Sequence, residues 1–156
     1  MNTKRTLITL TILLLTASWS FAGGPPCSAK SVAGDWGLTT TGVIILPTGP
    51  VPVAAVGRFT ADAAGNTRGG QDRSLGGQFA HETFNGHGVI NSDCTAKYIV
   101  YVYDSSGNLN RTSVLDAVFT NGSSAVHVIF ESITLPDGTN LPSVLTFDGN
   151  KLSPKD

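Results

Sequence analysis

The sequence predicts an all-β fold, an antiparallel meander of about eight strands closed into an up-and-down barrel. Three observations carry that prediction. The composition is heavy in Gly, Thr, Ser, Asn and Val and light in Glu, Lys and Met, which is the usage of strands and turns. Turn-forming clusters interrupt the apolar runs at a nearly even beat of about 15 residues. Those clusters are short, so consecutive strands run antiparallel, because a parallel neighbour needs a crossover of about a dozen residues or more. An open meander of this length would leave two exposed edges, and closure removes both. A two-sheet sandwich is the alternative architecture.

Taken in order, the chain begins with Lys4-Arg5, an apolar run from Leu7 to Leu15, and Ser20-Phe21-Ala22, a small-x-small cleavage pattern. Residues 1–22 are read as a signal peptide, followed by an N-terminal lead over 23–33, a barrel domain over 34–150 and a tail over 151–156. The apolar run is shorter than the roughly 20 residues of a spanning helix, so a membrane anchor is the weaker reading and the mature chain is expected off the membrane. The first mature strand opens at Gly34-Asp35-Trp36 and continues through Thr39 to Leu46. Its β-branched residues suit a half-buried pleated surface, and Trp36 is expected as a structural plug at one end of the core. Strands are expected over 35–46, 51–62, 67–75, 78–90, 95–104, 110–120, 124–134 and 142–148. Between them lie breaks such as Pro47-Thr48-Gly49-Pro50, Gly76-Gly77 and Pro136-Asp137-Gly138, residues that tolerate positive φ or set a turn. Asp62-Ala63-Ala64-Gly65-Asn66 echoes Asp104-Ser105-Ser106-Gly107-Asn108, with Asp148-Gly149-Asn150 as a partial third copy. Alternating acidic ligands are missing, so recurring turns explain the echo better than calcium loops.

Charged residues make up only 13% of the chain and the formal net charge is −1, which excludes the basic field that nucleic-acid binding requires. Cys27 and Cys94 form an even pair in a chain read as exported, and a disulfide between them is expected. No Gly-x-Ser-x-Gly elbow, His-Glu-x-x-His helix, phosphate loop or dinucleotide fingerprint occurs, so the common hydrolases and nucleotide enzymes are improbable and no cofactor is expected.

Side-chain parity sorts each strand into two faces. His81, Thr83, Asn85 and His87 share one face of the fourth strand, opposite Glu82, Phe84 and Gly86. His81 and His87 lie about 20 Å apart along an extended chain, too far to share one ion, and no metal site is expected. Charges embedded in apolar strands are the better candidates: Arg58 between Val56 and Thr60, Asp116 between Val114 and Val118, and Glu131 in register with His127 and Ile129. Turned inward, they would have to pair, and Arg58, Arg73, Asp116 and Glu131 would form an interior network with Tyr101 or a neighbouring tyrosine at hand. Turned outward, they are ordinary solvated charges. Tyr98 to Tyr103 is apolar on both faces, which fits barrel packing or a partner surface.

Gly34-Asp35-Trp36 at the start of a meander resembles the Gly-x-Trp opening of lipocalins and other calycins. Phe59-Thr60-Ala61-Asp62-Ala63-Ala64-Gly65-Asn66 and Asn91-Ser92-Asp93-Cys94-Thr95 are similar to motifs of a group of secreted bacterial proteins of uncharacterised function. In architecture that group resembles calycin binders and allene-oxide-cyclase barrels. The resemblance implies a calycin-like barrel. It is compatible with a binder of a small, largely apolar ligand, with Arg58, Arg73, Tyr101, Asp116 and Glu131 as ligand-facing candidates. A barrel isomerase or cyclase using an interior Arg and carboxylate is the first alternative, and a structural or surface-interaction protein with a filled core is the second.

Overall fold

The computed structural model describes residues 26–152, and the expected signal peptide lies outside them. One turn of helix, α1 (Ala29–Val32), is followed by eight strands: β1 (Gly34–Leu46), β2 (Gly49–Ala61), β3 (Asn66–Leu75), β4 (Gln78–Ile90), β5 (Thr95–Tyr103), β6 (Leu109–Thr120), β7 (Ala125–Thr134) and β8 (Ser143–Lys151). Each strand pairs antiparallel with the next and β8 returns to β1, giving a closed barrel with no sheet edge. The sandwich alternative is thereby set aside.

Most strand limits fall within a residue of those expected. The exceptions are β2, which starts at Gly49 where the Pro47-Thr48-Gly49-Pro50 cluster predicts a later beginning, and β8, which runs past the expected end at 148 to Lys151. The carbonyl of Pro52 accepts from the Gly76 amide, so its nitrogen points to the same side, beyond the Val53–Leu75 pair where β3 ends. A missing N–H on that side breaks no ladder bond.

Four hairpin turns repeat one geometry. The amide of the first residue donates to the carbonyl four positions on, and the amide of the fourth donates back to the first, in Asp62–Asn66, Asn91–Thr95, Asp104–Asn108 and Leu135–Thr139. The fourth position is left-handed in each: Gly65 at φ 89°, Cys94 at 70°, Gly107 at 82° and Gly138 at 87°. This is a three-residue loop closed by a residue in αL. Asp62 accepts from the Asn66 side chain and from backbone amides of its own turn, Asp104 from its turn amides and the Asn108 side chain, and those hydrogen bonds hold both acids below the usual carboxylate range. The calcium reading fails for that reason. The third copy is no turn at all, since Asp148, Gly149 and Asn150 lie inside β8.

The expected disulfide is present. Cys94 takes the position filled by glycine in its sister turns and is bonded to Cys27. That bond lays α1 across one end of the barrel. The Trp36 indole, 0% exposed, donates its N–H to the Val32 carbonyl at 3.0 Å, and Lys151 Nζ donates to the Ser31 carbonyl at 2.7 Å while lying over the Trp36 ring. Phe59 stacks on Trp36 and Phe119 meets it edge-on, completing a floor of aromatic rings. A second apolar cluster, Ile44, Val53, Ile133 and Leu145, packs separately.

Candidate functional site

The chemistry of the barrel gathers on one inward residue of β4. Glu82 is 1% exposed, and five donors converge on its carboxylate. Oε1 accepts from Arg73 Nε at 2.8 Å, Arg111 Nη1 at 2.7 Å and Asn110 Nδ2 at 3.1 Å. Oε2 accepts from Gln71 Nε2 at 2.9 Å and Arg111 Nη2 at 2.8 Å, so the Arg111 pair is bidentate. Strand register explains the meeting. Glu82 lies opposite Gln71 on β3, Arg73 is two residues farther along the same face, and Arg111 reaches in from β6, where it alternates with Ser113 and Leu115. Burial alone would raise the Glu82 pKa, but the Arg111 hydrogen bonds and charge, with help from Gln71 and Arg73, outweigh it and hold the group at about 2. A carboxylate so saturated with donors is a poor proton acceptor at neutral pH, which argues against a proton-abstraction role in a cyclase.

Of the residues singled out in the sequence, Arg73 alone joins this network. Arg58 is exposed, because β2 turns Val53, Ala55, Phe59 and Ala61 inward and puts Arg58 on the other parity. Asp116 and Glu131 also lie on the outer wall, where Lys97 bridges them. The inner face of β6 takes Leu115, Ala117 and Phe119 in preference to Val114 and Val118, and that choice carries Asp116 outward. Tyr101 is 41% exposed and shares the outer face with Ile99, while Tyr98, Val100 and Val102 point in. The interior network expected from Arg58, Asp116 and Glu131 is replaced by one built on Glu82 and Arg111. Glu82 was legible only through its parity with Phe84 and Gly86, opposite the His81 face. Arg111 sits in an Asn-x-Thr glycosylation pattern, but the Asn110 amide is engaged with Glu82.

The three histidines stay outside. His81 pairs with Asp72, His127 with Asp148, and His87 with Asn66, and no metal-binding cluster occurs among the described residues. A broad, open depression on the outer wall across β5 to β8 is lined by Lys97, Asp116, Val118, His127, Ile129 and Asp148.

Between the aromatic floor and the Glu82 network lies a cavity of about 80 Å³, walled by Leu38, Phe84, Val100, Leu115, Phe130 and Phe147 and touched by Gln71, Arg111 and Ser113. Drug-sized ligands occupy roughly 300–1,000 Å³, and an engineered cavity of about 150 Å³ takes benzene, so this space suits only a slim molecule of a few heavy atoms. Glycines of the barrel wall admit their neighbours and leave little room. A Cβ on Gly88 would lie 2.3 Å from the Tyr98 ring, and one on Gly57 would meet Gln71 at 2.8 Å. One polar atom in the wall stands out: the Ser113 hydroxyl is buried, at 2% residue exposure, and has no hydrogen-bond partner among the described residues. A buried hydroxyl without a partner costs about 1–3 kcal/mol.

Fold and site together define a closed eight-stranded antiparallel barrel with a disulfide-tied cap, a narrow apolar interior and a buried Glu–Arg network, compatible with a calycin-like barrel. No family model matches the chain, and comparison with curated proteins finds no match.

Proposed function

We propose that this is an exported barrel that binds a slim, largely apolar ligand in its interior. The observation that carries the reading is the orphan Ser113 hydroxyl in the wall of a largely apolar cavity, a hydrogen-bonding group awaiting a partner that the described residues do not supply. The leader at residues 1–22 and the Cys27–Cys94 disulfide support export. Among the described residues, no helix is long and apolar enough to cross a membrane. The charge balance of the chain speaks against nucleic acid as a partner.

Native mass spectrometry of the protein purified from its own host is expected to show a bound molecule of low mass, released on denaturation. Repeated recovery of the bare chain, together with no binding of small apolar probes, would overturn the reading. The small volume favours a second one, a barrel with a filled core that acts through its outer wall. There Ile99, Tyr101, Val118 and Ile129 are exposed on β5 to β7.

A further inference from the structure

We infer that the interior ligand is an anion, a short aliphatic monocarboxylate whose charged end lies beside Arg111 and Ser113 and whose tail fills the apolar cavity. This rests on the binding reading and names the class of ligand. The argument is one of charge and donors. Among the described residues, the inward-facing ionisable side chains are Arg73, Glu82, Tyr98 and Arg111, together with Lys151, which is held at the capped end by the Ser31 carbonyl and the Trp36 ring. Tyr98 is buried in the apolar wall and stays a neutral phenol, so at the Glu82 end of the barrel two guanidinium groups face one carboxylate and leave one surplus positive charge. No other acid among the described residues answers it: Asp35 accepts from Thr60 on the outside, and Asp62, Asp93 and Asp137 accept from amides of their own turns. Asp116 and Glu131 are bridged to Lys97 outside, Asp72 and Asp148 pair with histidines on the outer wall, and Asp104 is turned to its own hairpin amides.

Donors are in surplus as well. Arg73 gives Glu82 only its Nε, and its two terminal nitrogens bond to no side chain or carbonyl among the described residues. Arg111 gives two of its five N–H groups, and the Ser113 hydroxyl gives none. Arg111 and Ser113 stand two residues apart on the same face of β6 and both line the cavity. A neutral head group would satisfy the hydroxyl and leave the charge. A monoanion satisfies both, and a carboxylate is small enough for the space.

The test is a chemical-shift titration of the full mature protein with sodium butyrate and with 1-butanol, ionic strength matched by sodium chloride. Butyrate is expected to bind at least tenfold more tightly than butanol. That advantage is expected to fall by about tenfold in Arg73→Met, which leaves the bidentate Arg111–Glu82 pair intact and cancels the surplus charge, and to rise in Glu82→Gln, which enlarges it. Equal affinities in the wild type, or an advantage that survives Arg73→Met, would overturn the inference. If Arg73→Met does not fold, a Glu82→Gln protein with no increased advantage overturns it equally. Binding of butanol without butyrate would sink the anion and leave the apolar-binding reading standing, whereas binding of neither would sink both.

Discussion

Replacing Glu82 with Gln keeps the shape of the side chain and removes the charge on which Arg73 and Arg111 converge. The magnitude follows from the carboxyl itself. Its pKa falls from an ordinary 4.5 to about 2 on folding, so the ionised form is favoured in the native barrel by about 3 kcal/mol at roughly 1.4 kcal/mol per tenfold. At 1% exposure, solvent screening does little to reduce that figure. The group is depressed on folding, so its contribution is fully present above pH 4.5 and drains away as the pH falls toward 2. Glu82→Gln mimics the protonated state at every pH and also points an amide at a guanidinium. It is therefore expected to cost about 3 kcal/mol or somewhat more near neutrality, a fall in Tm of roughly 10 °C, and much less at pH 3. Urea unfolding of both proteins at pH 7, 5 and 3 measures this. A cost independent of pH would show that the charge plays no part, and a cost below about 1 kcal/mol at pH 7 would show that desolvation of the three ions cancels their attraction.

Three further outcomes rest on particular residues. Ser113→Ala removes a buried hydroxyl that has no partner, so it is expected to stabilise the unliganded barrel by about 1 kcal/mol or more in thermal unfolding; a loss of stability would mean that the hydroxyl is satisfied in solution. The Cys27–Cys94 bond spans 67 residues, and its removal is expected to cost about 4 kcal/mol on the chain-entropy model. In a Cys27→Ala background, Cys94→Gly is expected to unfold at higher urea than Cys94→Ala by about 1 kcal/mol, since position 94 has φ 70°; equal midpoints would show that the turn relaxes once the bond is gone.

The hairpins were legible because turn chemistry is local. Asp-x-x-Gly-Asn closes its own loop through its own amides, and the same code announced the strand limits on either side of Asp62 and Asp104. Trp36 was legible as a plug because one large ring opening a β-branched strand has few other places to go. Parity was the weak point. It divides a strand into two faces without saying which is inside, and on β6 both faces are apolar, so Asp116 and Arg111 were equally eligible. Burial of Leu115, Ala117 and Phe119 decided between them, and that choice depends on how β5 and β7 pack alongside.

Short-range order along the chain therefore determined the fold class, the strand count, the antiparallel meander and the pairing of Cys27 with Cys94, because alternation, turn residues and an even cysteine count act over a few residues or by elimination. Closure of β8 on β1 was expected from the two edges an open meander would expose, and the structure bears it out; only the tertiary structure decided that Glu82 and not Glu131 is the buried carboxylate, and that the glycines make way for Tyr98 and Gln71 and do not leave an open chamber. Those outcomes depend on which side of each strand meets the others, and a twofold choice repeated over eight strands is resolved only when all of them pack at once.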